Sequence, residues 1–206
     1  MARHDWYRNS SWTADIESDF RQRLGRARDK SQYLRIQASY LAESHPQVAL
    51  SLLDQYFALG DHFDKAQAHA DRARAFIALG DVDAALSSYE EALAREREFP
   101  RLKTHAYLEY ACLVINARAA RLHVRAMEVL DTHRERPMFP VDRYRANGAR
   151  AILLHELGRK DEARSFADLA MAAAREIESG FRYHQDLGLV KSTGDEFGRR
   201  VAALLK

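Results

Sequence analysis

"AQAHADRARAFIALGDVDAALSSYEEALARE", Ala66 to Glu96, carries small and large apolar residues at helical spacing on both sides of one Gly-Asp turn. Ala73 and Phe76 share a face before the turn, and Ala85, Tyr89 and Ala92 share one after it. Alanine at 73 and 85 lets two helices approach closely, with Phe76, Leu79, Leu86 and Leu93 filling the space around the crossing. Gly80 is suited to the positive φ that ends a helix, and Asp81 to capping the next one. The stretch reads as a complete helical hairpin.

The same grammar recurs on either side. From Lys30 to Phe57, Tyr33, Ile36 and Tyr40 make one face and Ala49, Leu53 and Tyr56 the other; Ser44 and Gln47 suggest a capping box, with Pro46 tolerated in the first turn. From Tyr144 to Met171, Ala151, Leu154, Gly158, Ala163, Ala167 and Ala170 repeat the pattern. "KTHAYLEYACLVIN", Lys103 to Asn116, and "LHVRAMEVLDTH", Leu122 to His133, supply a further pair joined through Ala117 to Arg121. Ala49, Ala85, Ala126 and Ala163 follow one another at 36, 41 and 37 residues, close to a period without being locked to one.

Ala73, Gly80, Ala85, Tyr89 and Ala92, with Phe76 between them, resemble the tetratricopeptide repeat family. Arg72, where that family usually has Leu, and the delayed Pro100 depart from its pattern. The resemblance covers Lys30 to about Ser179. It implies an all-α, right-handed α-α superhelix of about four hairpins (30–59, 61–99, 101–135 and 141–178) in one continuous domain. Residues 1–29 and 179–206 then supply terminal caps, since a repeat exposes an apolar face unless something covers it.

The stripe Trp12, Ile16, Phe20, Leu24 predicts the first capping helix, starting near Thr13, with Trp6 and Tyr7 as core rather than a ligand platform. "TGDE", Thr193 to Glu196, reads as a capping box opening a last helix with Phe197, Val201, Leu204 and Leu205. Between hairpins and cap, "SGFRYHQDLGLV", Ser179 to Val190, is too apolar for a tether. It reads as a plug packed over the last hairpin, with Gly180 stopping a helix that ends near Glu178, and with Arg182, Tyr183 and His184 placed to form a rim.

Composition limits the function classes. A net charge of +2 from 32 basic and 30 acidic residues gives no whole-chain field for nucleic acid or an anionic membrane. Local clusters at Arg21 to Lys30 and at Arg118, Arg121 and Arg125 leave a nucleic-acid-contacting regulator as an alternative, although Asp15, Glu17 and Asp19 are spaced to pair with Arg21 and Arg23. The longest apolar runs, "ACLVIN" and "AILL", fall far short of a membrane span. "MARHDWYRN" lacks the apolar core of a secretory signal, so the cytoplasm is expected. The single Cys112 excludes an intrachain disulfide, and a preference for Arg over Lys alongside abundant Ala fits a bacterial, GC-rich genome.

In the family resembled, the first helix of each hairpin lines a concave groove. That implies a surface made by Arg35 and Ala38, Asp71 and Arg74, then His105, Glu109 and Cys112, then Arg145, Ile152, His155 and Glu156. Alternating cations and acids there suit a protein or peptide partner of mixed charge, bound without catalysis or cofactor by an adaptor or by a regulator that sequesters. Leu34, Ala38 and Ala70 stand where a carboxylate clamp would need polar residues. Reversing Arg74 or Arg145 to Glu is expected to weaken binding with little loss of helix. His105, Glu109 and Cys112 at i, i+4 and i+7 also raise a metal- or thiol-dependent activity. One stripe cannot wrap an ion unless His69 or His155 reaches across, and no Gly-rich turn near Cys112 offers an oxyanion hole.

Overall fold

The computed structural model describes residues 5–206. Ten α-helices and one 3-10 turn account for its regular structure, with no strand among the described residues, so the all-α fold with helices packed in adjacent pairs is as expected. Two compact units divide the chain between Ala106 and Tyr107.

The first unit contains α1 (Ala14–Arg26), α2 (Lys30–Leu41), α3 (Pro46–Ala58), α4 (Lys65–Ala78) and α5 (Val82–Glu98). Thr13 caps α1 by accepting the Ile16 amide at 3.3 Å, and Glu17 and Asp19 pair along the helix with Arg21 and Arg23 at 3.4 and 2.8 Å. Helices α2 and α3 pack as one pair and α4 and α5 as another; α3 then lies on α4, and α2 on α4. At the deciding turn Gly80 takes φ +78° and Asp81 accepts the Ala84 amide at 3.0 Å, while Ala73 and Ala85 are both fully buried at the crossing. Trp6, Tyr7, Trp12 and Tyr33 pack around Phe20 and the α2–α3 core with neighbouring ring centroids 4.7 to 5.5 Å apart. Gln37, fully buried, fixes the N-terminal segment by accepting from the Asn9 amide and donating to the Asn9 carbonyl.

Three local expectations fail here. The buried face of α2 is Leu34, Gln37, Ala38 and Leu41, so Tyr40 points outward and Tyr33 and Ile36 lie at the margin: the helix is rotated by about one position from its aromatic stripe. Helix α3 has no capping box, because its N-cap is His45 and the Ser44 hydroxyl instead donates to the Ser10 carbonyl at 3.1 Å. Leu79, in the C-cap of α4, is 39% exposed and fills nothing at the crossing.

The second unit holds α6 (Ala106–Asn116, its first residue at the boundary), the 3-10 turn (Ala120–Leu122), α7 (His123–Thr132), α8 (Pro140–Glu156), α9 (Lys160–Ala174) and α10 (Glu196–Ala203). Tyr107 near the start of α6 stacks on His133 at the end of α7, ring centroids 5.2 Å apart, as antiparallel neighbours must. Helices α8 and α9 form the most extensive pair, closed by Gly158 at φ +80° and lined by buried Ala151, Leu154, Ala163, Ala167 and Ala170. Arg150, buried in α8, donates to the Leu130 carbonyl at the end of α7, a second donor to an acceptor that the His133 amide also bonds at 3.2 Å.

Helix α10 packs on α8 and α9, covering the last pair. It can do so because Gly148 has no Cβ: one there would meet the Phe197 ring at 2.8 Å and Val201 at 2.9 Å. Its cap is Asp195, which accepts the Gly198 amide at 2.8 Å, and not Thr193; Leu204 and Leu205 fall beyond the helix. The plug expected at Ser179 to Val190 is looser than its composition suggested. Helix α9 ends at Ala174, four residues before Glu178, so Gly180, at φ +82°, belongs to the loop. Tyr183 is 81% exposed and Leu187 is exposed as well. The segment is pinned at its two ends, where Ser179 takes the His184 and Gln185 carbonyls and Gly188 accepts the Val141 amide at 2.8 Å. That last bond occupies an N-terminal amide of α8, which has no side-chain cap.

Candidate functional site

Two arrangements gather the sequence-predicted residues, one in each unit. In the first unit Asp71 projects from α4 with its carboxylate almost wholly out of solvent. Its Oδ1 accepts from Arg74 at 2.8 Å and from Gln67 at 3.0 Å, and its Oδ2 accepts from Arg35 of α2 at 3.3 Å. Arg35 also donates to Asp64 at 2.8 Å, and Arg74 to the Ser39 carbonyl of α2 at 3.4 Å. Burial pushes the Asp71 carboxyl above its ordinary value despite the pull of Arg74, Gln67 and Arg35. The two guanidinium groups keep a wet edge, with 18% and 32% of the side chain exposed. Each presents five N–H donors, of which this network uses only some. The arrangement is a pair of oriented cations on the face shared by α2 and α4, anchored from below by one carboxylate.

In the second unit Arg145 of α8 donates to the Cys112 Sγ of α6 at 3.8 Å, and the charges of Glu109 and Asp142 also act on its guanidinium, whose pKa sits above its ordinary value. Burial pushes the Cys112 thiol up, and Arg145 offsets this only in part, so the sulfur is a neutral thiol near pH 7 and supplies no counter-charge. Both residues line a cavity of about 550 Å³ together with Tyr144, Asn116, Lys191 and Ser192. The Tyr144 side chain is buried, and its hydroxyl, against Gly198, has no hydrogen-bond partner.

The remaining expected residues are distributed differently. Ala38 and Ile152 are buried and cannot present a surface. His155 is exposed at the end of α8 outside this cavity, and Glu156 pairs with Arg200 at 3.4 Å. His105 precedes α6, on which Glu109 and Cys112 lie, and among the described residues no group of three His, Cys, Asp or Glu side chains converges to hold a metal. His69 packs its ring on Phe57 at 4.6 Å, where burial pulls its pKa down to about 4. Arg21 and Arg23 of the first basic cluster are neutralised within α1, and Arg125 pairs with Glu128 at 3.4 Å.

Asp64, Gln67, Asn116, Tyr144, Lys191 and Ser192 are members of these sites that sequence reasoning did not assign to them. Only Gln67 carried a local signal, its i, i+4 spacing to Asp71. Among the described residues no helix is long and apolar enough to cross a membrane. No family model, no curated protein and no solved structure matches the chain.

Proposed function

We propose that the protein is a cytoplasmic, non-catalytic binding module of the tetratricopeptide type that engages a protein or peptide segment bearing acidic side chains, as an adaptor or by sequestration. The observation that carries this reading is the Asp71 anchor beneath Arg35 and Arg74. A mobile surface arginine loses rotamer freedom when it binds, whereas these two are already held in place, so part of the ordering entropy is spent on folding. Their planar donors suit carboxylates on a partner, and Asp64 beside Arg35 favours a partner of mixed charge over a polyanion. The intrahelical pairing of Arg21 and Arg23 leaves the nucleic-acid alternative with less support.

The reading is tested by selecting displayed 12-residue peptides on the purified protein and measuring the winners by calorimetry. Winners are expected to share an acidic residue whose replacement by Ala weakens binding about tenfold, with a similar loss in Arg35→Gln. Winners that bind the Arg35→Gln/Arg74→Gln double variant as tightly as the parent, with circular dichroism unchanged, sink the proposal. Charge-neutral variants are preferred to reversal, because Glu at 74 would set a second carboxylate against buried Asp71 and cost stability as well as binding.

A further inference from the structure

The cavity of the second unit has a polar end and an apolar wall built from different parts of the chain. Arg145 of α8 and Lys191 of the connecting segment bring two cations to it, with Asn116 and Ser192 as polar neighbours. Val141 of α8, Leu189 and Val190 of the segment and Phe197 of α10 supply apolar lining. Its volume of about 550 Å³ lies in the range that encloses small organic ligands.

Two features of this cavity remain without an internal explanation. A largely buried guanidinium normally has a directly bonded carboxylate, since desolvating a charge is costly, yet the hydrogen-bond acceptor of Arg145 is a weak sulfur, with Glu109 and Asp142 acting on its charge from further off. The Tyr144 side chain, on the same helix, lines the same cavity, and its hydroxyl, out of solvent against Gly198, is likewise unpartnered. Asp195, also in the lining, is committed to capping α10 through the Gly198 amide. The cavity thus sets two cations and one cap-committed carboxylate beside an apolar wall.

We propose that this cavity is a binding site for a small amphipathic carboxylate, its anionic group held by Arg145 and Lys191 and its hydrocarbon part lying on Val141, Leu189, Val190 and Phe197. The segment from Leu189 to Ser192 forms one side of the site, which gives a chemical reason for a long connection between α9 and α10 that is pinned at Ser179 and Gly188 and stacked through Phe181 on Phe139. The peptide reading rests on Arg35 and Arg74 in the first unit, so either proposal can fail without the other.

Octanoate and 4-phenylbutyrate are the probes, with 1-octanol as the uncharged control, titrated into the full chain by calorimetry and by amide NMR. Saturable binding with a dissociation constant below about 1 mM is expected, with shifts centred on Tyr144, Val190, Lys191 and Ser192. Arg145→Gln should weaken it roughly tenfold or more, and Lys191→Gln roughly threefold. If Arg145→Gln loses its helical signal, the Lys191 variant decides. Octanol binding as well as octanoate, shifts centred outside the cavity, or Lys191→Gln binding as the parent does would each overturn the proposal.

Discussion

Replacing Asp71 by Asn separates two accounts of the buried charge in the first unit. If Asp71 served stability, breaking its pairs would cost about 3 to 5 kcal/mol, the usual penalty for stranding a buried ionic partner. The geometry predicts much less. The Asn oxygen can take the place of Oδ1 and keep the bonds from Arg74 and Gln67, so the amide replaces only Oδ2, whose single bond is the 3.3 Å contact from Arg35. Arg35 retains Asp64 at 2.8 Å, and both guanidinium groups reach water. Burial already pushes the Asp71 carboxyl above its ordinary value, which means that the ionised form is held at a net disadvantage. Asp71→Asn should therefore change unfolding free energy by less than about 1 kcal/mol in either direction. The sign of the pH dependence follows. The folded state binds a proton more readily than the unfolded chain, so wild type loses stability relative to the variant as pH rises through the folded pKa, and regains it as pH falls toward the unfolded value. Both tryptophans, Trp6 and Trp12, belong to the first unit, so urea titration followed by their fluorescence reads that unit. A loss of 3 kcal/mol or more at pH 7, or a wild type that weakens relative to the variant on acidification, refutes the reasoning.

Ala85→Leu adds three carbons at a fully buried crossing of α4 and α5 and should destabilise the first unit by roughly 1 to 3 kcal/mol, visible in the same titration. Gly188→Ala places a Cβ about 2.5 Å from the Phe139 side chain, in a backbone at φ +72° that alanine disfavours; the Val141 amide, bonded to the Gly188 carbonyl, should lose protection in hydrogen exchange while amides in the middle of α9 keep theirs.

The helices were legible because their signals are local. Ala73, Gly80, Asp81 and Ala85 act within one turn of chain, and Ala49, Ala85, Ala126 and Ala163 all proved buried, each on the second helix of its pair. Misreadings cluster where two local signals competed. In α2 the stripe Tyr33, Ile36, Tyr40 competes with Leu34, Ala38 and Leu41, and the aliphatic set is the one that is buried. At both misplaced caps a Ser or Thr came first in the sequence, and the tertiary fold assigned the helix start to the residue one or two positions later.

Sites obey a different logic, since a side chain's chemistry depends on partners that sequence proximity does not give. Arg35 meets Asp64 and Asp71 across 29 and 36 positions, and Arg145 meets Cys112 across 33. The groove positions implied for each arginine are silent on the question that sets its role, whether an acid neutralises it. Arg74 and Arg145, interchangeable in the sequence, part company on that point alone. The first is tied to a buried carboxylate and can act only as an oriented pair with Arg35; the second bonds a neutral thiol at the edge of a cavity, with Glu109 and Asp142 acting on its charge without a direct ion pair.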